Sequence, residues 1–68
     1  MAPCSEKVLE IIEEAIYHEQ ASHDYYLQVV EAMHDESGRR QFRHLAQEEI
    51  RHREVLEDRF RSMTGKRF

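Results

Sequence analysis

Three residues of this 68-residue chain have the types and spacing of a metal site: Glu19, Glu49 and His52. Glu49 and His52 are three positions apart, so on a helix both side chains leave the same face within one turn. Glu19 lies thirty positions before Glu49. Carboxylates and imidazoles suit iron and manganese among the divalent metals. The sequence therefore predicts a site for a divalent metal, which requires a fold that brings Glu19 to the other two residues.

The composition indicates that long helices hold these residues. Pro3 is the only proline, Gly38 and Gly65 are the only glycines, and charged residues make up 35% of the chain. A sheet protein needs many more turn-forming and β-branched residues than this composition provides. The predicted fold class is therefore all-α.

The length restricts the chain to one domain with a small core. A folded chain of this size buries only about 60% of the surface that its unfolded form exposes. Small scaffolds are commonly stabilised by disulfides, by a metal or by a partner chain. A disulfide within one chain is excluded because Cys4 is the only cysteine. We therefore expect metal binding or oligomerisation to supply the missing stability.

A single break in the sequence predicts a hairpin of two helices. Residues 35–38 read Asp-Glu-Ser-Gly, which are residue types typical of a turn or a helix end. We predict a first helix over about residues 6–34 with Ser5 as its N-cap, and a second over about residues 39–63 that stops at Gly65. A turn as short as 35–38 makes the two helices antiparallel neighbours.

Each predicted helix carries an apolar stripe that becomes polar in its middle. At helical spacing the stripes are Val8, Ile12, Ala15, Ile16, Glu19, Ser22, His23, Tyr26, Val29, Val30 and Met33, and then Phe42, Leu45, Glu49, His52, Leu56, Phe60 and Met63. Burying an unpaired carboxylate is costly, so the polar members need a partner. In a hairpin Glu19, Glu49 and His52 stand at nearly the same height, since Glu19 precedes the turn by about as many residues as the other two follow it. Converging in a dry helical core, they form a ligand set for a divalent metal.

Charge is distributed unevenly between the two halves of the chain. Residues 1–36 carry nine of the 14 acidic residues and one of the 10 basic residues. Such asymmetry can indicate a tail that binds nucleic acid. Here the basic residues alternate with acidic and apolar ones, which favours two helices of complementary charge and no nucleic-acid partner. No apolar stretch approaches the roughly 20 residues that cross a bilayer, so no membrane partner is expected.

The pattern around the three residues resembles the ferritin-like di-iron superfamily, and within it the rubrerythrin type. The residues that carry the resemblance are Glu19, Tyr25, Tyr26, Ala46, Glu49 and His52, with the spacings Glu-x6-Tyr and Glu-x-x-His. It covers about residues 12–60. A ferritin-like subunit has four helices and two copies of this half-pattern, whereas this chain has one. In that respect the chain is most similar to the half-length encapsulated ferritins.

The resemblance implies how the chain assembles. Residues 1–68 would form one ferritin-like half-domain, and two copies would dimerise into a ferritin-like four-helix bundle that shares the metal site. The implied partners are a second copy of the chain, in a homodimer or a larger homo-oligomer, and an encapsulin shell. The implied location is the cytoplasm, inside a protein nanocompartment, and a lone cysteine agrees with a reducing compartment.

The resemblance also implies an activity. Glu19, Glu49 and His52 would be the iron ligands and the catalytic residues, and Tyr26 a hydrogen-bonding aromatic beside them. His23, one turn from Glu19, departs from the family pattern and would either pack against a ligand or join the site. The activity is that of a ferroxidase, an oxidoreductase that binds Fe(II) at the dimer interface and oxidises it with dioxygen or peroxide in iron storage or detoxification. The cofactor is a di-iron centre, for which other divalent metals can substitute in isolated protein.

A non-catalytic module is the alternative. In that case the hairpin dimerises or binds a partner as a plain bundle, with an adventitious metal site. Its polar core residues would then set the register of the helices.

Overall fold

The computed structural model describes the backbone of residues 2–68 and the side chains of residues 6–68. Helix α1 spans Ala2–Ala32 and helix α2 spans Glu36–Thr64. The two helices pack side by side in opposite directions and form a rod of 52 × 15 × 14 Å. Residues 2–68 contain no strand, which confirms the predicted all-helical hairpin.

Helix α2 begins three residues earlier than predicted, because Asp35 caps it. The Asp35 Oδ2 atom accepts a hydrogen bond from the backbone N–H of Gly38 at 2.8 Å. This bond satisfies one of the amide groups that a helix leaves unpaired at its N-terminus. The negative charge of Glu36 in the first turn is favourable there as well. The turn is therefore residues 33–35, and the predicted turn over 35–38 is wrong.

Gly38 belongs to the first turn of α2, where it is buried. A Cβ atom at this position would overlap Met33 Cε and lie 2.9 Å from Asp35 Oδ2. The glycine thus makes room for Met33 at the end of the hairpin. Its role is close packing, whereas the sequence suggested a turn.

The other helix ends agree only in part with the prediction. Helix α2 stops at Gly65 as expected, with a left-handed φ of 73° and an N–H that donates to the Arg61 carbonyl at 2.7 Å. Glycine adopts this conformation without steric cost. Helix α1 begins at Ala2, so the backbone of Ser5 lies inside the helix and its prediction as N-cap is wrong. The Ser5 side chain lies outside the described residues.

The core between the helices is small. Its buried apolar residues are Ile12, Ile16, Val30 and Ala46. Ile16 and Ala46 are each only 2% exposed. The stripe predicted for α1 faces α2 over most of its length, but Val8 at its beginning is exposed. A core of this size agrees with the expectation that a single hairpin is marginally stable.

The inward face of α2 is rotated only in part from the predicted stripe, of which Phe42, Glu49, Leu56 and Phe60 remain half-buried. Ala46 is buried and Arg53 half-buried, whereas Leu45 and His52, which were expected there, are exposed. Met63, at the end of the predicted stripe, is exposed too. The small side chain of Ala46 suits its buried position, since the distance between two packed helices depends on the side chains at their contact.

One side of the hairpin is only half covered, and we call it the open face. Successive residues of a helix are rotated by about 100°, so the positions in the sequence determine which residues lie on this side. These residues comprise Glu19, Glu49 and His52 together with the exposed apolar residues Val8, Ile11, Leu45 and Met63. The open face therefore combines the candidate ligands with apolar surface that a single hairpin leaves in water.

The charged residues pair mostly along each helix. The Lys and Arg salt bridges found among the described residues are Lys7–Glu10, Arg43–Glu36, Arg51–Glu48, Arg53–Glu57 and Arg61–Asp58. Exposed pairs of this kind contribute about 0–1 kcal/mol each. The complementary charge of the two helices therefore does little to hold them together. Neither helix, over the described residues, contains a stretch long and apolar enough to cross a membrane.

Asp35→Ala should lower the free energy of unfolding by about 1 kcal/mol, because the Gly38 amide loses its acceptor. Urea titration followed by far-ultraviolet circular dichroism measures this change in metal-free protein. Asp35→Asn is the matched control, since its amide oxygen can still accept the bond. Equal losses in the two variants would contradict the cap.

Candidate metal centre

Glu19, Glu49 and His52 meet on the open face, as the sequence predicts. One potential ligand atom from each residue lies within 4.8 Å of the other two. Within the part of the chain that the structure describes, no other group of three or more His, Cys, Asp or Glu residues lies so close together. A divalent metal with bonds of about 2 Å holds its ligand atoms roughly 3–4 Å apart, so small side-chain rotations would complete the site.

The two helices contribute unequally to this cluster. The i, i+3 spacing of α2 places His52 Nδ1 2.9 Å from Glu49 Oε1. Helix α1 supplies Glu19, whose Oε2 lies 3.6 Å from the same nitrogen. This is the one salt bridge between α1 and α2 among the described residues. The Nδ1 atom of His52 is therefore the ring nitrogen that faces the carboxylates and would bind a metal between them.

Water reaches the cluster in a single hairpin. The exposed fractions of the side chains are 23% for Glu19, 16% for Glu49 and 55% for His52. The prediction of a dry core around all three is wrong for one chain. The rotation of α2 explains this, because it moves His52 to the edge of the helix contact.

Glu19 lies in an environment that disfavours its charge. Burial raises the pKa of its carboxyl above the ordinary value of 4.5, and the hydrogen bond with Glu49 and the negative charge of Glu49 raise it further. The positive charge and hydrogen bond of His52 act in the opposite direction, with smaller effect. A half-exposed imidazole thus does not fully balance two facing carboxylates, whereas a divalent cation would.

The contacts that the structure gives for the two predicted neighbours of the ligands are with other residues. Tyr26 packs between Tyr25 and Phe42, with ring centroids 6.1 and 5.9 Å away. His23 Nδ1 lies 3.0 Å from Asp24 Oδ1, so its ring is directed at its own helix. None of the hydrogen bonds found among the described residues joins Tyr26 or His23 to the cluster. Their roles at the site stay predictions.

Sequence reasoning missed a pair of residues directly beside the cluster. The Nη1 atom of Arg53 donates a hydrogen bond across the hairpin to Gln20 Oε1. Gln20 follows Glu19 in the chain, and Arg53 follows His52. The sequence does show that each of these polar residues is next to a candidate ligand. It does not show that they face one another, because that depends on the rotation of α2.

No protein-family model, no curated protein and no solved structure matches this chain. The resemblance to ferritin-like di-iron proteins therefore rests on the residues that carry it.

The raised pKa of Glu19 predicts how the metal-free fold responds to pH. A carboxyl whose pKa is higher in the folded chain contributes stability that is complete below its unfolded pKa and is lost as the pH rises through the folded pKa. Glu19→Gln removes this titration. The free energy of unfolding of Glu19→Gln, relative to the parent, should therefore increase as the pH rises from the ordinary value of 4.5 through the folded pKa of Glu19.

Urea titrations at several pH values, with a chelator present, measure this difference. Glu14→Gln is the matched control, because Glu14 is an exposed glutamate on the same helix. If the curve for Glu19→Gln ran parallel to that of the parent, burial and Glu49 would not perturb Glu19.

Proposed function

We propose that this protein is a di-iron oxidoreductase of the ferroxidase type, which binds Fe(II) between two copies of the chain and oxidises it with dioxygen or peroxide. The observation that carries the proposal is the convergence of Glu19, Glu49 and His52 from two helices on the open face. Two carboxylates and an imidazole suit iron. The same residues carry the resemblance to ferritin-like di-iron proteins.

A second copy would complete the site. One hairpin offers three ligating side chains. Three are too few to bind two iron ions and shield them from water. A two-fold dimer would offer four carboxylates and two imidazoles, in a ferritin-like four-helix bundle. The open face supports this arrangement, because a partner that covers the cluster would also cover apolar side chains, namely Val8, Ile11, Leu45 and Met63. Burying an aliphatic side chain fully contributes roughly 1.5–3 kcal/mol, which would offset the small core.

The residues of the chain would bind the metal and handle its protons. Bound as a pair, two Fe(II) ions would each give up one electron and become Fe(III), and dioxygen would take up both electrons and two protons from water to give hydrogen peroxide. Glu19 and Glu49 would balance the positive charge as carboxylates, so any proton favoured by the raised pKa of Glu19 would leave when the cation binds. His52 would bind through Nδ1 in its neutral form. The partner copy would exclude bulk water from the 55% of the His52 side chain that is exposed in one hairpin.

The wider role follows from the resemblance. It places the oxidation of Fe(II) in iron storage or detoxification. It also names a homodimer or larger homo-oligomer, and an encapsulin shell, as the partners of the chain. Repulsion among four carboxylates in one core means that this assembly should depend on metal.

A non-catalytic dimerisation module is the second candidate. One observation favours it: His52 bonds to Glu49 and pairs with Glu19, so the cluster is partly satisfied by its own residues. Such a polar group can set helix register without any metal. Elemental analysis of purified protein separates the two candidates, because the oxidoreductase should carry about one metal per chain and the module far less than that.

Glu49→Gln should slow the oxidation of Fe(II) at least about tenfold, because it removes one of the proposed ligands. Mutation of a residue that only supports a metal ligand already lowers metal affinity or activity about 10–100-fold. The measurement adds Fe(II) to the protein anaerobically, admits oxygen, and follows the near-ultraviolet absorbance of ferric iron. Glu48→Gln is the matched control, since Glu48 is the preceding residue and pairs with His44 and Arg51 outside the cluster. Oxidation by Glu49→Gln at the parent rate would contradict the proposal.

A further inference from the structure

We infer that Gln20 and Arg53 form a positioning pair that holds the candidate metal ligands in register across the hairpin. Among the described residues, their hydrogen bond is the one that joins α1 to α2 through side chains outside the cluster of Glu19, Glu49 and His52. The inference rests on the proposed function, because it assigns the pair a role in metal binding.

Both members of the pair are oriented by further contacts. The Gln20 Nε2 atom donates to Asp24 Oδ1 at 3.1 Å, which directs the Gln20 carbonyl oxygen toward α2. Arg53 faces α1 with its side chain only 28% exposed. A guanidinium in that position needs compensation for its lost hydration. The Glu57 carboxylate supplies part of it as an ion pair, with Oε2 3.5 Å from Arg53 Nε, while Nε has no hydrogen-bond partner among the described residues.

The pair positions the cluster through the helix backbone, because each of its members is adjacent in sequence to a candidate ligand. Adjacent residues on a helix differ by about 100° in direction and 1.5 Å in height, so fixing Gln20 against Arg53 also fixes Glu19 against His52. Apolar contacts are not directional, and the core of this hairpin is small. A binding site tolerates errors of only about 0.5 Å in its ligands. A directional bond beside the cluster supplies the precision that the apolar contacts lack.

The direction in which one substitution changes the metal affinity distinguishes a positioning role from an electrostatic one. Arg53 is a cation close to a site for cations, so removal of its charge alone would strengthen metal binding. Removal of a positioning residue weakens it. Arg53→Met keeps the aliphatic stem and deletes the donor, so the direction of the change in affinity reports which effect is present.

The experiment titrates Co²⁺ into the full chain and records the visible absorption spectrum, which reports affinity and ligand geometry together. Gln20→Met and Arg53→Met should each lower the affinity at least about tenfold and alter the spectrum. The double variant should lose no more than either single one, since both act through one bond. Arg53→Lys retains a donor and should recover most of the affinity.

Leu56→Ala is the control for a loss of stability without loss of the pair. It removes apolar packing from α2 and should lower the free energy of unfolding while it keeps the parent spectrum. Unchanged or tighter Co²⁺ binding by Arg53→Met, with the parent spectrum, would overturn the inference. So would a Leu56→Ala spectrum altered to the same extent as that of Gln20→Met.

A failure of the proposed function can be told apart from a failure of this inference. If the parent and Glu49→Gln bind Co²⁺ equally weakly, the metal site is wrong, and the register is then tested by nuclear Overhauser contacts in metal-free protein. Gln20→Met should lose the contact between the Glu19 and His52 side chains and keep the one between Tyr26 and Phe42. Retention of both contacts would overturn the role of the pair.

Discussion

The structure depends on two carboxylates that face one another across a helical hairpin. Glu19 and Glu49 are both largely covered, and the ring nitrogen that faces both of them belongs to the half-exposed His52. Two carboxyl groups in such a place have to be protonated, paired with a cation or bound to a metal. The raised pKa of Glu19 reflects the cost of its charge in the metal-free chain. The proposed iron site is the third of these states, and it accounts for the cost of keeping two acids in this position.

The open face joins this electrostatic demand to the stability of the fold. The hairpin buries few apolar side chains, and it leaves others exposed on the side that carries the acids. A second copy placed there would extend the core and surround the cluster in one step. The proposal therefore treats stability and chemistry as consequences of the same contact. A catalytic site far from the apolar surface would not link them in this way.

The sequence was sufficient for the hairpin, for the stop at Gly65 and for the convergence of Glu19, Glu49 and His52. Each of these depends on local residue types or on helical spacing, which the sequence contains directly. The rotation of α2 could not be predicted, because stripes through Leu45 or through Ala46 both fit a helical period. The choice between them depends on contacts with α1, including the bond from Arg53 to Gln20.

The start of α2 was missed for a similar reason. Gly38 has the residue type of a helix end, and only the close approach of Met33 reveals it as a packing residue inside the helix. The most direct test of the central claim is anomalous diffraction at the iron edge from crystals grown with Fe(II). The account predicts iron peaks between two chains, each about 2.0–2.2 Å from ligand atoms of Glu19, Glu49 and His52. The absence of iron from these residues would contradict the account, whether or not the open faces of two chains meet in the crystal.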